Sequence, residues 1–313
     1  GCSAMKPTEL AGKDHWSELK SGQTARSGRG LWRALAIATV LLVFGSGFAI
    51  AQDAGQRVLS IGGSVTEIIH ALGASDRLVA RDTTSSYPPE ITDLPDVGYM
   101  RALSPEGVLS VNPDLILAEE GSGPQETIEV LREADVEFIT VPDGYDLDAG
   151  GEKIIAGASA LDLTEQGEDL AAEVLADLDA ARAAAVNDDP PRVLFILSMR
   201  GGRILASGRN TAADGIISLA GGQNAVTEFE GYLPLSEEAA SAAAPDVSVM
   251  MDRGGEHSSD IAELFGHPAL ALTPAAQSES VVRINGLLLL GFGPRTPEAV
   301  RRLSDGLGTA SNG

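Results

Sequence analysis

The stretch RVLSIGGSVTEIIHALGA, residues 57–74, changes its period in the middle. RVLSI (57–61) is a short apolar run with the composition of a buried strand. GGSVTEIIHALGA (62–74) opens on two glycines and then sets Val65, Ile68, Ile69 and Leu72 at helical spacing. A strand that passes through a glycine turn into a helix is the building unit of an open parallel sheet.

The alternation continues outward from there. RLVAR reads as a second strand, LSPEGVLSVN (103–112) as a short helix, DLILAE as a third strand, PQETIEVLREAD as a helix and EFITVP as a fourth strand. Strands separated by helices predict a doubly wound parallel sheet that ends near residue 162. LTEQGEDLAAEVLADLDAARAAAVND (163–188) then predicts one long helix, with Leu170, Val174, Leu178, Ala181 and Ala185 on one stripe. Some 25 residues of helix reach about 38 Å, the span of a small domain.

After Pro190-Pro191 the alternation resumes. RVLFILS and RILASG read as strands, NTAADGIISLAGG as a capped helix, DVSVMM as a strand and VVRINGLLLLG as a final pair of strands. A half-repeat is visible. RVLSI answers RVLFIL, and LSPEGVLSVNPDLILA (103–118) answers LSEEAASAAAPDVSVMM (235–251), each a Ser-X-Glu helix start followed by Pro-Asp and a strand. The expected fold class is α/β: two doubly wound lobes, residues 52–162 and 190–313, joined by a single connecting helix at 163–189, with a ligand cleft between them.

Composition narrows the function. The chain of 313 residues carries 45 acidic and 22 basic groups, a net charge of −23, without a basic stripe or tail, which argues against nucleic acid as a partner. In RSGRGLWRALAIATVLLVFGSGFAIA (26–51), Arg26, Arg29 and Arg33 precede an apolar run from Ala34 to Phe44, and Ala49-Ile50-Ala51 supplies small residues. This is the layout of a secretory signal peptide cut before Gln52, so residues 1–51 are read as leader and signal peptide and the product as periplasmic. The uncleaved alternative, a membrane anchor, is disfavoured because the apolar run is short of the ~20 residues a span needs. Cleavage leaves 42 acidic and 16 basic residues, or −26, and removes Cys2, the one cysteine. Disulfides, thiolate metal sites and cysteine nucleophiles are thereby excluded from the mature part.

Four phrases in order, GGSVTEIIHALG, ARDTTSSYPPEITDLPDVGYMRALSPEGVLSVNPDLILA, ASGRNTAADGIISLAGG and LLLLGFGPRTPEAVRRL, resemble the periplasmic substrate-binding proteins of ABC importers that take up vitamin B12 and ferric siderophores, and most closely the haemin-binding members. The resemblance covers roughly residues 57–306. It implies a monomeric receptor for ferric haem, its transported ligand, that delivers it to ABC permease subunits and serves iron acquisition. In such haemin binders the tyrosine of the TTS-x-YP loop is an axial iron ligand, and that position here is Tyr87. The chemistry agrees, since ferric iron is a hard acid and phenolate a hard base. A free phenol titrates near ~10, so the metal or a nearby cation has to favour the anion, and Arg81, Arg200 and Arg295 are candidates. The alternative is a Tyr87 ring packed on Pro88 and Pro89.

The loop SMRGGR (198–203), where relatives place a histidine, has none. Met199 there is a thioether ligand or simply a cleft wall, and Arg200 or Arg203 matches a propionate. Ser64, at the start of the first helix, suits an anion if the helix-start amides are free, or is an ordinary cap residue. His70, His257 and His267 are scattered, unlike the cage of a zinc or manganese binder. By the same resemblance Glu106 and Glu238 dock to the permease, while their plain reading is helix N-terminal charge. No G-x-S-x-G, H-E-x-x-H or G-x-x-x-x-G-K motif occurs, so an enzyme is not expected. A ferric siderophore or cobalamin receptor of the same fold is the alternative, and a haem-dependent enzyme a more distant one.

Overall fold

The computed structural model describes residues 55–200, 202–252 and 261–311. The signal-peptide reading of residues 1–51 and His257 lie outside the described residues.

The first lobe is a four-stranded parallel sheet of β1 (Val58–Ile61), β2 (Leu78–Arg81), β3 (Leu115–Glu119) and β4 (Glu137–Val141), in the order β2-β1-β3-β4. The two central strands are apolar on both faces, which a parallel sheet covered by helices on both sides requires. Val58, Leu115 and Leu117 face Val65 and Ile69 of α1 (Gly63–Ala71). Leu59, Ile61 and Ile116 face Val108 of α2 (Pro105–Leu109) and Ile128 and Leu131 of α3 (Gln125–Glu133). The lobe closes with α4 (Ala149–Ser159), AGGEKIIAGAS, whose glycines and alanines gave no helical signal in the sequence; its helicity comes from packing against α1 and the next helix.

That next helix, α5, covers Thr164–Ala184, shorter at its C-terminus than the 163–189 expected, and is about 31 Å long. Its buried stripe is Gly167, Ala171, Val174, Leu178 and Ala181. Ala171 and Val174 pack with Ile68 and Ile154 of the first lobe, whereas Leu178 and Ala181 belong to the core of the second. One apolar stripe thus serves two cores, and the helix acts as a strut.

The second sheet is mixed. Its order is β10-β9-β5-β6-β8, from β5 (Arg192–Arg200), β6 (Arg203–Ser207), β8 (Tyr232–Leu235), β9 (Val247–Asp252) and β10 (Val281–Asn285), with the short β7 (Gln223–Asn224) beside β5. β9 and β10 run parallel to β5, while β6 and β8 are antiparallel hairpin additions. One face packs on α6 (Ala212–Leu219), the other on α7 (Glu237–Ala243), α8 (Ile261–Phe265) and the region around α9 (Pro274–Gln277). The expected final strand pair is corrected: only Val281–Asn285 is a strand, and GLLLL forms the helix α10 (Gly286–Leu290). The Asn285 side chain caps it by accepting from the Leu288 N–H, and Leu288 and Leu289 are buried. The last element is α11 (Thr296–Ser311).

The half-repeat is structural. In the first lobe the Arg57 N–H donates to Asp114 Oδ2 at 2.9 Å, and in the second the Arg192 N–H donates to Asp246 Oδ2 at 2.8 Å. The residues before each Pro-Asp, Asn112 and Ala244, both adopt left-handed backbone, with φ of 47° and 40°. Ser104 caps α2 and Ser236 caps α7 through the same contact, the hydroxyl accepting from the N–H three residues on.

Candidate functional site

The loop that carries Tyr87 is built by one carboxylate. Asp82, fully buried, accepts from the Gly62 N–H (3.0 Å), the Thr84 N–H (3.0 Å), the Thr84 hydroxyl (2.8 Å) and the Ser85 hydroxyl (2.8 Å). From Ser85 a chain of hydroxyl contacts runs to Thr66 and on to Ser60, each at 2.6 Å. The D-T-T-S order winds the loop around its own aspartate and ties it to the start of α1. Gly62 sits at that junction with φ +104°, and a side chain there would run into Glu119.

This arrangement bears on the anion expectation at the start of α1. Two of the amides there are already engaged: Gly62 N–H is taken by Asp82 and Gly63 N–H by the Thr84 hydroxyl at 2.9 Å. Ser64, 1 % exposed, donates to Glu119 Oε2 at 2.7 Å. Arg81 is likewise engaged. Its guanidinium pairs with Asp96 at 2.8 Å and donates to the Asp82 and Thr92 carbonyls, so it braces the loop.

Tyr87 itself is half-buried between two side chains. His70 of α1 meets its ring edge-on at 6.2 Å, and the guanidinium carbon of Arg295, from the second lobe, lies 3.6 Å from the ring centroid. Arg295 is also ion-paired with Glu67 of α1, a residue the sequence reading passed over. Burial holds the Glu67 carboxyl above the usual carboxylate range, with Arg295 opposing that shift. Among the described residues the Tyr87 hydroxyl makes no hydrogen bond.

Beside this group lies a second charged cluster that sequence reasoning missed. Lys153 of α4 is fully buried, and its ammonium donates to Asp143 (2.6 Å), Glu119 (3.2 Å), the Ser64 hydroxyl (3.3 Å) and, from the second lobe, the Gly291 carbonyl (3.1 Å). Burial raises Glu119 despite the adjacent ammonium. A lone lysine in a stretch of glycine and alanine was the available signal.

The other tyrosines are less suited to anionic ligation. Burial first, and the Asp143 charge second, push the Tyr145 phenol up to about 12, and burial also raises Tyr232. Both are packed on core rings, Phe292 and Phe195 respectively. Tyr99 is 48 % exposed on a turn.

The remaining candidates belong to other elements. Met199 and Arg200 close β5, Met199 against the core and Arg200 exposed opposite Arg203. His267 braces this hairpin: its Nδ1 accepts from the Ala269 N–H at 3.1 Å, which leaves Nε2–H to donate to the Gly202 carbonyl at 3.0 Å. Glu106 and Glu238 are exposed at the same position of two equivalent helices, the second residue after the capping serine. The helix start holds the Glu238 carboxyl below its usual range, its own backbone N–H being the main cause. An open groove of about 810 Å³ between the 145–147 segment and α6 does not include Tyr87. Among the described residues no cluster of three His, Cys, Asp or Glu is arranged to hold a metal ion.

Residues 58–286 match the model of the periplasmic binding protein family, and the chain belongs to that family. It is similar to the periplasmic heme-binding protein BhuT, solved in complex with two hemes, at 42 % identity and a TM-score of 0.77, covering 82 % of this chain and 99 % of that one. It is similar to the periplasmic heme-binding protein RhuT from Roseiflexus sp. RS-1, solved in apo form, at 40 % identity and a TM-score of 0.79, with the same 82 % and 99 % coverage. A vitamin B12-binding protein of Yersinia pestis is 27 % identical over 252 residues, 80 % of this chain and 87 % of its own length.

Proposed function

We propose that this protein, as a member of the periplasmic binding protein family, captures ferric haem between its lobes and hands it to the permease of an ABC importer. The observation that carries the reading is Tyr87: a phenol on a rigid loop at the lobe junction, with a guanidinium on its ring face and a hydroxyl that no described group engages. Ferric iron accepts phenolate as an axial ligand. The similarity at 40–42 % identity to two heme-binding proteins supports the same ligand.

In this reading the lobes of residues 52–162 and 190–313 hold the porphyrin, Met199 borders it, and Arg200 and Arg203 at the β5–β6 turn are cations suited to its propionates. Arg81 and Ser64 act indirectly, by bracing the loop and the start of α1. The protein binds its cargo and leaves it chemically unchanged, works as a monomer, and reaches the periplasm by loss of residues 1–51. Glu106 and Glu238, one on each lobe, meet basic groups of the permease.

The 27 % identity to a vitamin B12-binding protein favours cobalamin as the second reading. Titration of the purified protein with haemin and with cobalamin separates the two. The expected result is a Soret shift with a high-spin tyrosinate spectrum that Tyr87→Phe abolishes; cobalamin binding without a haemin response would overturn the proposal.

A further inference from the structure

Glu67 is 4 % exposed, yet carboxylates are seldom taken out of water without a purpose. Its partner Arg295 comes from the other lobe, 228 positions away. The guanidinium is presented by a stiff turn, GFGPRT, in which Phe292 is buried at 2 % and the Thr296 hydroxyl donates to the Gly293 carbonyl at 2.7 Å. Removing two charges from water costs several kcal/mol, and an apolar contact would join the lobes as firmly, so the ion pair is weak as a device for stability. What an apolar contact lacks is direction. A carboxylate holds the planar guanidinium fork in one geometry.

That geometry has a use. With Arg295 fixed by Glu67, its guanidinium lies 3.6 Å from the Tyr87 ring centroid, while His70, one turn along α1 from Glu67, meets the same ring edge-on. One helix of the first lobe and one turn of the second therefore converge on one side chain. The Arg295 Nε is buried without a hydrogen-bond partner among the described residues, so the group is set by the carboxylate and the ring together.

We infer that Glu67 and Arg295 form a cross-lobe positioning pair that fixes the Tyr87 ring, and with it the direction of the phenol oxygen toward a metal centre in the cleft. The inference rests on the proposed haem function for its purpose, but its geometry is independent of the ligand. It makes the ligand oxygen sensitive to how the lobes sit. Arg295 also sets positive charge against the ring that carries negative charge once the oxygen is bound to ferric iron.

The test has a haem-free arm and a loaded arm, with Glu67→Gln, Arg295→Met and the charge-conserving Arg295→Lys. In the first, the protein carries ¹³C-labelled tyrosine and the Tyr87 ring signal is identified by its loss in Tyr87→Phe. The expected result is that Glu67→Gln and Arg295→Met move or broaden the Tyr87 signal while those of Tyr145 and Tyr232 stay in place. A merely structural pair would lower the melting temperature and leave Tyr87 where it is, and that outcome would overturn the inference. In the second arm ferric haem is loaded. Glu67→Gln is expected to weaken the tyrosinate bands and speed haem loss by about tenfold, with Arg295→Lys intermediate. Wild-type spectrum and dissociation rate in both Glu67→Gln and Arg295→Met would overturn it as well. Failure of the wild type to bind haemin counts against the proposed function alone, since the tyrosine signals still decide the pair. Should Arg295→Met not fold, the near-isosteric Glu67→Gln carries both arms.

Discussion

The ammonium of Lys153, fully buried in the first lobe, donates to the Gly291 carbonyl of the second at 3.1 Å. The same ammonium holds Asp143 and Glu119. Two carboxylates of one lobe and a carbonyl of the other thus share a single cation, and its loss leaves both carboxylates without a counter-charge.

Lys153→Met is therefore expected to destabilise the protein by roughly 2–4 kcal/mol, because it leaves two partly buried carboxylates without a counter-charge. Adding Asp143→Asn and Glu119→Gln to it should restore most of that loss. Urea unfolding of the three forms measures both effects. A single variant as stable as the wild type would show that the cluster is already neutral.

Stability should also carry a pH signature from Glu119. Burial raises its folded-state affinity for a proton above the unfolded one, so the folded chain holds the proton longer as pH rises. The contribution is complete below the unfolded value of 4.5 and falls away as pH climbs through the higher folded value. Against Glu119→Gln, the wild type should lose relative stability from pH 4.5 upward. A relative gain over that range would mean that Lys153 outweighs the burial.

Asp82→Ala removes the acceptor around which the Tyr87 loop is wound and orphans the Gly62 and Thr84 amides. A loss of roughly 3 kcal/mol or more is expected, with haemin affinity falling further than stability alone requires. Asp82→Asn keeps half of the acceptors and should fall between. Equal affinity in all three forms would separate the loop from ligand binding.

Glu106→Lys with Glu238→Lys should leave the haemin spectrum unchanged and lower the melting temperature only slightly, since both side chains are exposed but each stands in the first turn of a helix. Association with permease in vesicles should slow, more at low salt than at high salt. Slowing that ignores ionic strength would point to a contact other than charge pairing.

Much of this molecule was legible along the chain. The apolar runs of β1 and β3, the helical spacing of α1 and the serine caps of α2 and α7 are local signals, set by periods of two and 3.6 residues and by contacts three positions apart. The repeat was legible for the same reason, because Pro-Asp before a strand does the same backbone work in both lobes. Two elements misled. Gly-rich α4 takes its helicity from neighbours, and GLLLL, apolar throughout, reads equally as strand or helix until Asn285 caps it.

By itself the sequence determined the α/β alternation, the two lobes, the strut between them and the loop that presents Tyr87, since each follows from residues near one another in the chain. Only the tertiary structure decided which charges meet. Glu67 and Arg295 stand 228 positions apart and Lys153 and Gly291 138 apart, and nothing in either neighbourhood names the other. Pairing across lobes depends on how two separately formed cores dock, and the burial that makes those charges consequential exists only once they have docked.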